Sequence, residues 1–420
     1  MPSAIAARRW RSWCGECNNG IEAEGSVAGR SSLPTAHASP QFKTLPPLSL
    51  YVHIPWCARK CPYCDFNSHE ARGELPEQAY VAALLADLEL ALPDVWGRAV
   101  NTVFIGGGTP SLFSVAALDA LLCGLRARLP MAADAEITLE ANPGTVEAEK
   151  FTGFRSAGIN RVSLGIQSFN DAHLRALGRI HDAAEAWRAA ELALRVFDNV
   201  NLDLMYGLPG QTPDQAAADI AQGLSLGPQH LSAYHLTIEP NTLFHHRPPA
   251  LPDDDTAALM QDAVEAQLAA AGYGHYETSA FARPGRQCRH NLNYWLFGDY
   301  LGIGAGAHEK ISFKNNILRR SRVRQPKAYL AQAGTQGQFG EQRGLSPAEL
   351  PGEFMMNALR LNQGFDLDLY PERIGCDSTP LLARLDAAEA RGLIVRDHRR
   401  VTPSALGRRF LNDLIAMFLD

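Results

Sequence analysis

The chain has 420 residues, of which 46% are hydrophobic and 20% charged, enough for two or three domains or for one large barrel with an appendage. With 39 basic residues against 45 acidic ones it is no polycation, so nucleic acid is not its expected partner. No apolar run reaches the roughly 18 residues of a membrane-spanning helix, and its 8 cysteines are too sparse for a disulfide scaffold.

Residues 1–45 are rich in Ala, Arg, Ser, Gly and Pro and show little apolar periodicity. They read as a disordered extension, consistent with a start codon assigned early, and they lack the apolar core of a secretory signal. Cys14 and Cys17 form a C-x-x-C without a second pair, so unpaired thiols are expected there rather than a zinc site.

From about residue 48, short β-branched runs alternate with longer Ala/Leu-rich amphipathic stretches. Strands are predicted at 50–55, 102–108, 136–142, 161–168, 200–207 and 230–239. Helices are predicted at 75–92, 115–129, 212–226 and 254–272. Such alternation predicts parallel β/α units and a partial (β/α)6 barrel over 46–310; a doubly wound sheet is the alternative. Either architecture gathers functional groups at the carboxyl ends of the strands, and the unusual strings HIPWC, GGGTPS, EANPG, QSF and DLMYGLPG all end strands. After residue 311 the rhythm changes. Two helices, a short strand, a basic turn, a second strand and a last helix predict a small winged-helix-like C-terminal domain, within 311–420. Arg391, Arg396, Arg399, Arg400, Arg408 and Arg409 lend its wing charge, but no readout helix is evident. Packing is therefore expected there before DNA binding.

Cys57, Cys61 and Cys64, spaced C-x3-C-x2-C directly after the first strand, carry the strongest signal. An iron–sulfur cube normally takes four thiolates, so three leave one iron open to an exchangeable ligand. A zinc knuckle short of one ligand would be the alternative. Downstream, Gly106-Gly107-Gly108-Thr109 lets backbone approach a ligand closely. Glu140, Gln167, Arg179 and Asp203 lie in or after later strands, where they could hold a cationic ligand or form an ion-pair network in the barrel.

The stretch YVHIPWCARKCPYCDFNSH resembles the radical S-adenosylmethionine superfamily. More narrowly it resembles the group that holds oxygen-independent coproporphyrinogen III dehydrogenase and the HemW-type heme chaperones, over residues 48–420. The resemblance implies a [4Fe-4S] cluster on Cys57, Cys61 and Cys64. It also implies S-adenosylmethionine contacts from Tyr51, Gly107, Glu140, Gln167, Arg179 and Asp203, with Tyr63, Gly108, Thr109 and Thr237 as weaker carry-overs. The dehydrogenase pattern has a further cysteine two positions after the third ligand; here that position is Phe66, within the C-P-Y-C-D-F of the chaperone branch.

The string His290-Asn291-Leu292-Asn293-Tyr294-Trp295 resembles that branch's heme-binding motif. His290 or Tyr294 could ligate iron, and Tyr294 and Trp295 offer flat faces to a porphyrin. For an arbitrary string of this kind an aromatic core pair is the plainer reading. Cys123, Cys288 and Cys376 read as structural, and His245 and His246 as solvated. The implied function is a cytoplasmic heme chaperone, peripheral to the membrane at most, with coproporphyrinogen dehydrogenation as the alternative. Its partners would be heme, a heme-acceptor protein such as a respiratory membrane enzyme, and an electron donor, with no nucleic acid.

Overall fold

The computed structural model describes residues 39–145 and 147–419. Cys14 and Cys17 lie outside the described residues. Within the segment read as an extension, the backbone N–H groups of Gln41 and Phe42 donate to the carbonyls of Gly375 and Lys314, so the residues just before the first strand are tied to the C-terminal half.

Six strands carry the predicted rhythm: β1 (Leu48–Ile54), β2 (Val100–Gly107), β3 (Met131–Ala141), β4 (Arg161–Gln167), β5 (Val200–Tyr206) and β6 (His230–His235). All pair in parallel, in chain order, with registers such as Leu50 beside Val103 and Leu202 beside Leu231. Between them run α1 (Glu77–Ala91), α2 (Val115–Arg128), α3 (Ala148–Ala157), α4 (Ala183–Val196) and α5 (Pro213–Ser225). Local chemistry starts the last two. Asp182 with Glu185, and Thr212 with Gln215, form reciprocal caps that satisfy otherwise orphaned N–H groups. Helix α1 buries Tyr80, Leu84 and Leu88, a stripe at helical spacing, against the sheet.

A seventh parallel strand, unforeseen in the rhythm, closes on the other side of β1. After α6 (Asp254–Ala270), the hairpin β7 (Gly274–Glu277) and β8 (Ala280–Ala282), and the short α7 (Arg289–Trp295), the chain returns as β9 (Asp299–Ile303). Three antiparallel strands extend it: β10 (His308–Phe313), β11 (Asn316–Arg322) and β12 (Phe339–Gly344). The twelve strands form one largely parallel sheet whose edges are β12 and β7. The expected partial barrel is thus present, and its sheet runs past residue 310 to Gly344.

A buried ionic knot fixes this added flank to α1. Asp87 accepts from Arg322 Nε at 2.8 Å, Tyr329 Oη at 2.8 Å, Gln338 Nε2 at 2.8 Å and the Gly304 N–H at 3.1 Å. The C-terminal domain has its own apolar core around Phe354, Tyr370, Leu385 and Leu414. There α8 (Leu350–Ala358), α9 (Thr379–Ala390), β13 (Ile394–Arg396), β14 (Arg400–Pro403) and α10 (Leu411–Ala416) give the predicted helix–wing–helix order. Several arginines of its wing are held by carboxylates: Arg396 by Asp386 and Glu389, Arg399 by Asp366, and Arg409 by Asp262.

Candidate cluster and cofactor site

A cavity of about 200 Å³ opens at the carboxyl ends of the parallel strands. Its wall brings together Cys57, Cys61, Cys64, Tyr63, Gly107, Gly108, Thr109, Glu140, Gln167, Arg179, Asp203 and Thr237. Residues more than 170 positions apart in sequence converge because each parallel strand delivers its last residues to the same end.

The cysteine loop is pinned at its start by the glycine run. Gly108 N–H donates to the Ile54 carbonyl at 2.7 Å, and Thr109 N–H to that of Trp56 at 2.7 Å. A Cβ on Gly108 would collide with the Trp56 carbonyl oxygen, and one on Gly107, whose φ is +118°, would come within 2.6 Å of the His53 ring. These glycines therefore let two strand ends touch, besides leaving backbone bare toward the cavity. The far side of the loop is held by Asn67, whose Nδ2 donates to the carbonyls of Ala305 at 2.9 Å and Arg324 at 2.8 Å.

Burial pushes the Cys57 thiol up and the Cys64 thiol up to about 12, so neither favours its thiolate without a nearby cation. No three His, Cys, Asp or Glu side chains among the described residues are grouped tightly enough for a single metal ion. The three thiols instead ring a space. Arg179 reaches over it, its Nη1 3.6 Å from Cys61 Sγ and its Nη2 2.8 Å from the Gly165 carbonyl, while its Nε is buried without a partner.

Across the cavity, Glu140 Oε2 accepts from the Gly107 N–H at 3.0 Å. Asp203 accepts from Ser163 Oγ and Asn201 Nδ2, each at 2.9 Å. Burial raises Glu140 to about 7, with the charge of Asp203 adding to it, and burial raises Asp203 as well. Carboxylates locked in an ion-pair network would move the other way. This donor set, two desolvated carboxylates and an orphaned guanidinium N–H, fits a ligand carrying both a cation and a carboxylate. Gln167 adds a backbone φ of +68°, rare for a side-chain-bearing residue, at the same rim.

Tyr51 stands apart from this wall. Its hydroxyl donates to His53 Nδ1 at 3.0 Å, and His53 Nε2–H donates to the Asn67 carbonyl at 2.9 Å, so Tyr51 supports the glycine run from below. Sequence reasoning missed His53, whose only signal was its alternation with Tyr51 on the strand. It also missed Asn142, Tyr234 and His235, which line the cavity from strand ends already singled out.

The string His290, Tyr294, Trp295 lies elsewhere. It forms α7, packed across the amino ends of the strands, beside Thr102 rather than Gly107. The Phe104 ring lies 5.1 Å from that of His290 and 6.3 Å from that of Tyr51, an aromatic layer above the string. Thr102 Oγ1 donates to Ser49, so His290 Nδ1–H donates to Thr102 at 2.7 Å, and His290 Nε2 accepts from Tyr294 Oη at 3.2 Å. Both ring nitrogens are engaged, and in this arrangement His290 presents no lone pair to a ligand. Tyr294 packs edge-on to Tyr300 at 4.4 Å, and Trp295 is fully buried.

The radical SAM superfamily model matches residues 51–221, and the HemN C-terminal domain model matches 345–410. A protein named heme chaperone HemW from Escherichia coli K12 is 51% identical over 383 residues, covering 89% of this chain and 99% of that protein. One of the same name from Mycobacterium tuberculosis H37Rv is 37% identical over 383 residues, covering 89% and 95%. Among solved structures, coproporphyrinogen III oxidase (HemN) from Escherichia coli, described as a radical SAM enzyme, superposes with a TM-score of 0.77 at 26% identity. That match covers 92% of this chain and 96% of HemN.

Proposed function

The chain belongs to the HemW family of the radical SAM superfamily, and from that premise we propose that it is a heme chaperone, which binds heme and passes it to an acceptor protein. The single observation that carries this reading is the 51% identity to a protein of that name over nearly its whole length. Phe66, standing where the dehydrogenase pattern has a cysteine, supports it against the enzyme reading.

In this reading Cys57, Cys61 and Cys64 hold a [4Fe-4S] cluster, whose open iron and reducing electron supply the chemistry when S-adenosylmethionine is present. Bare backbone at Gly107 and Gly108, with Thr109, flanks the ligand. Glu140 and Asp203 face its positive charge, Arg179 faces its carboxylate, and Gln167, Tyr63 and Thr237 close the rim. Tyr51 acts through His53 to hold the glycine run in place. His290, Tyr294 and Trp295 support the barrel's amino end and thereby the strands that carry the site. The acceptor fits a respiratory membrane enzyme approached from the membrane surface, with an electron donor reaching the cluster. No helix among the described residues is long and apolar enough to cross a membrane.

The experiment is anaerobic cluster reconstitution followed by heme titration, with coproporphyrinogen turnover measured in parallel. Stoichiometric heme binding without turnover is expected. Porphyrinogen oxidation by the reconstituted protein would replace this reading with the dehydrogenase one.

A further inference from the structure

The six parallel strands β1 to β6 face two ways. Leu50, Val103, Leu139, Val162, Leu202 and Leu231 point outward, into the apolar core shared with the helices. Their neighbours Ser49, Thr102, Thr138, Ser163, Asn201 and Ser232 point inward, and all six are buried. The barrel therefore encloses a polar interior, with Glu140 and Asp203 at its carboxyl end. Arg161 is the only lysine or arginine in these strands, and it opens β4 on the inward side.

Register sets Arg161 below both carboxylates. It pairs with Thr138, and the next inward pair on the same two strands is Ser163 with Glu140. On its other side Ser163 pairs with Asn201, two residues before Asp203. Each inward step is about 7 Å of strand. Ser163 Oγ and Asn201 Nδ2 donate to Asp203. Asn201 is held in that orientation because its Oδ1 accepts from His230 Nδ1–H at 2.6 Å and from Ser232 Oγ at 3.1 Å. The donors that fix Asp203 are thus neutral.

Arg161 is 2% exposed, and its Nε is buried with no hydrogen-bond partner, as is the Thr138 hydroxyl. A guanidinium is permanently charged and costly to bury, so one that is not fully bonded must answer to charges at longer range. The carboxylates on the inner faces are Glu136 below it and Glu140 and Asp203 above. A direct ion pair would spend carboxylate oxygens. From below, the guanidinium offsets the mutual repulsion of Glu140 and Asp203 and leaves oxygens to the cavity.

We propose that Arg161 is a positioning residue for the cofactor: without touching it, its charge favours the ionised form of Glu140 and Asp203 that faces the ligand's cation. The proposal rests on the S-adenosylmethionine reading of this cavity and deepens it. Burial opposes the ionised form at both carboxylates, and the Arg161 charge acts against burial at both. Of the other groups turned to this interior, burial lowers His230, His235 and His290 below the ordinary imidazole range. Burial also raises Tyr63, Tyr234 and Tyr276, and pushes Cys288 up to about 12. Tyr51 is hydrogen-bonded to His53, and Glu136 accepts from the N–H groups of Arg289 and His290. Arg179 keeps its charge throughout. Glu277 is raised by burial to about 7, but it answers to Arg360 and is common to the wild type and every variant below.

The test is S-adenosylmethionine titration of the reconstituted full chain at pH 6, 7 and 8, for the wild type, Arg161→Gln and Arg161→Lys, with cluster absorbance and melting temperature recorded alongside. At pH 7 Arg161→Gln is expected to bind about tenfold more weakly, with the pH midpoint of binding about one unit higher, so that the deficit narrows as pH rises. Arg161→Lys keeps the charge and is expected to stay within about threefold of wild type, its midpoint unmoved. Wild-type affinity and midpoint in Arg161→Gln would overturn the proposal. So would a deficit that is the same at every pH, which marks a packing role. Arg161→Lys decides even where the glutamine variant does not fold: a lysine variant whose midpoint rises or whose binding is lost would also overturn it. A wild type that carries the cluster but binds no S-adenosylmethionine would instead overturn the cofactor reading.

Discussion

Glu140→Gln should make the ligand-free protein more stable and its cofactor binding worse. Glu140 is buried and, with Asp203 nearby, its carboxyl is raised from 4.5 to about 7. Between those two values the native state holds a proton that the unfolded chain has released, so wild-type stability falls as pH rises through this window. The native-state penalty approaches about 3 kcal/mol above pH 7, against about 1 kcal/mol near pH 5, at ~1.4 kcal/mol for each tenfold change in proton affinity. Glutamine keeps an oxygen for the Gly107 N–H but carries no charge, so it escapes this penalty. Denaturant titrations at pH 5 and pH 8 should therefore show the variant gaining about 2 kcal/mol more at the higher pH. S-adenosylmethionine titration of the reconstituted variant should show the opposite sign, a loss of about tenfold to a hundredfold, because a charged acceptor of a buried hydrogen bond is gone. A variant whose advantage is the same at both pH values, or which binds the cofactor like wild type, would refute the placement of an uncompensated carboxylate in this cavity.

Replacing Cys57, Cys61 and Cys64 together by Ala should abolish the brown absorbance of the reconstituted protein, and iron analysis showing a full cluster would contradict the ligand assignment. Gly108→Ala should cost roughly 1–3 kcal/mol or more, since the clash is with the Trp56 backbone rather than with a movable side chain; a melting temperature equal to wild type would count against the packing role given to this glycine. Asp87→Ala should cost about 3–5 kcal/mol, because it leaves buried Arg322 with Glu309 as its remaining carboxylate and deprives Tyr329, Gln338 and the Gly304 N–H of their acceptor; the loss would be read by chemical denaturation of cluster-free protein. His290→Ala should lower thermal stability by removing the bridge between Thr102 and Tyr294, while the cluster absorbance remains; unchanged stability would speak against its place in the core.

The parallel strands were legible because each is a short apolar run bounded by turns, and a parallel strand buried on both faces needs nothing more to be recognised. The seventh, Asp299–Ile303, escaped because its pairing with β1 joins residues about 250 positions apart and no β/α alternation announces it. The cavity wall was legible for a related reason: strand ends share one side of a parallel sheet whatever their distance along the chain. His290 shows where that logic stops. At the level of residue type, a histidine in an aromatic string is a good metal ligand. The tertiary structure spends both of its nitrogens instead: the Thr102 hydroxyl, whose own proton goes to Ser49, accepts from Nδ1–H, and Tyr294 Oη donates to Nε2. Thr102 stands 188 positions away on another strand, so no reading of residue types and local spacing could have found that pairing.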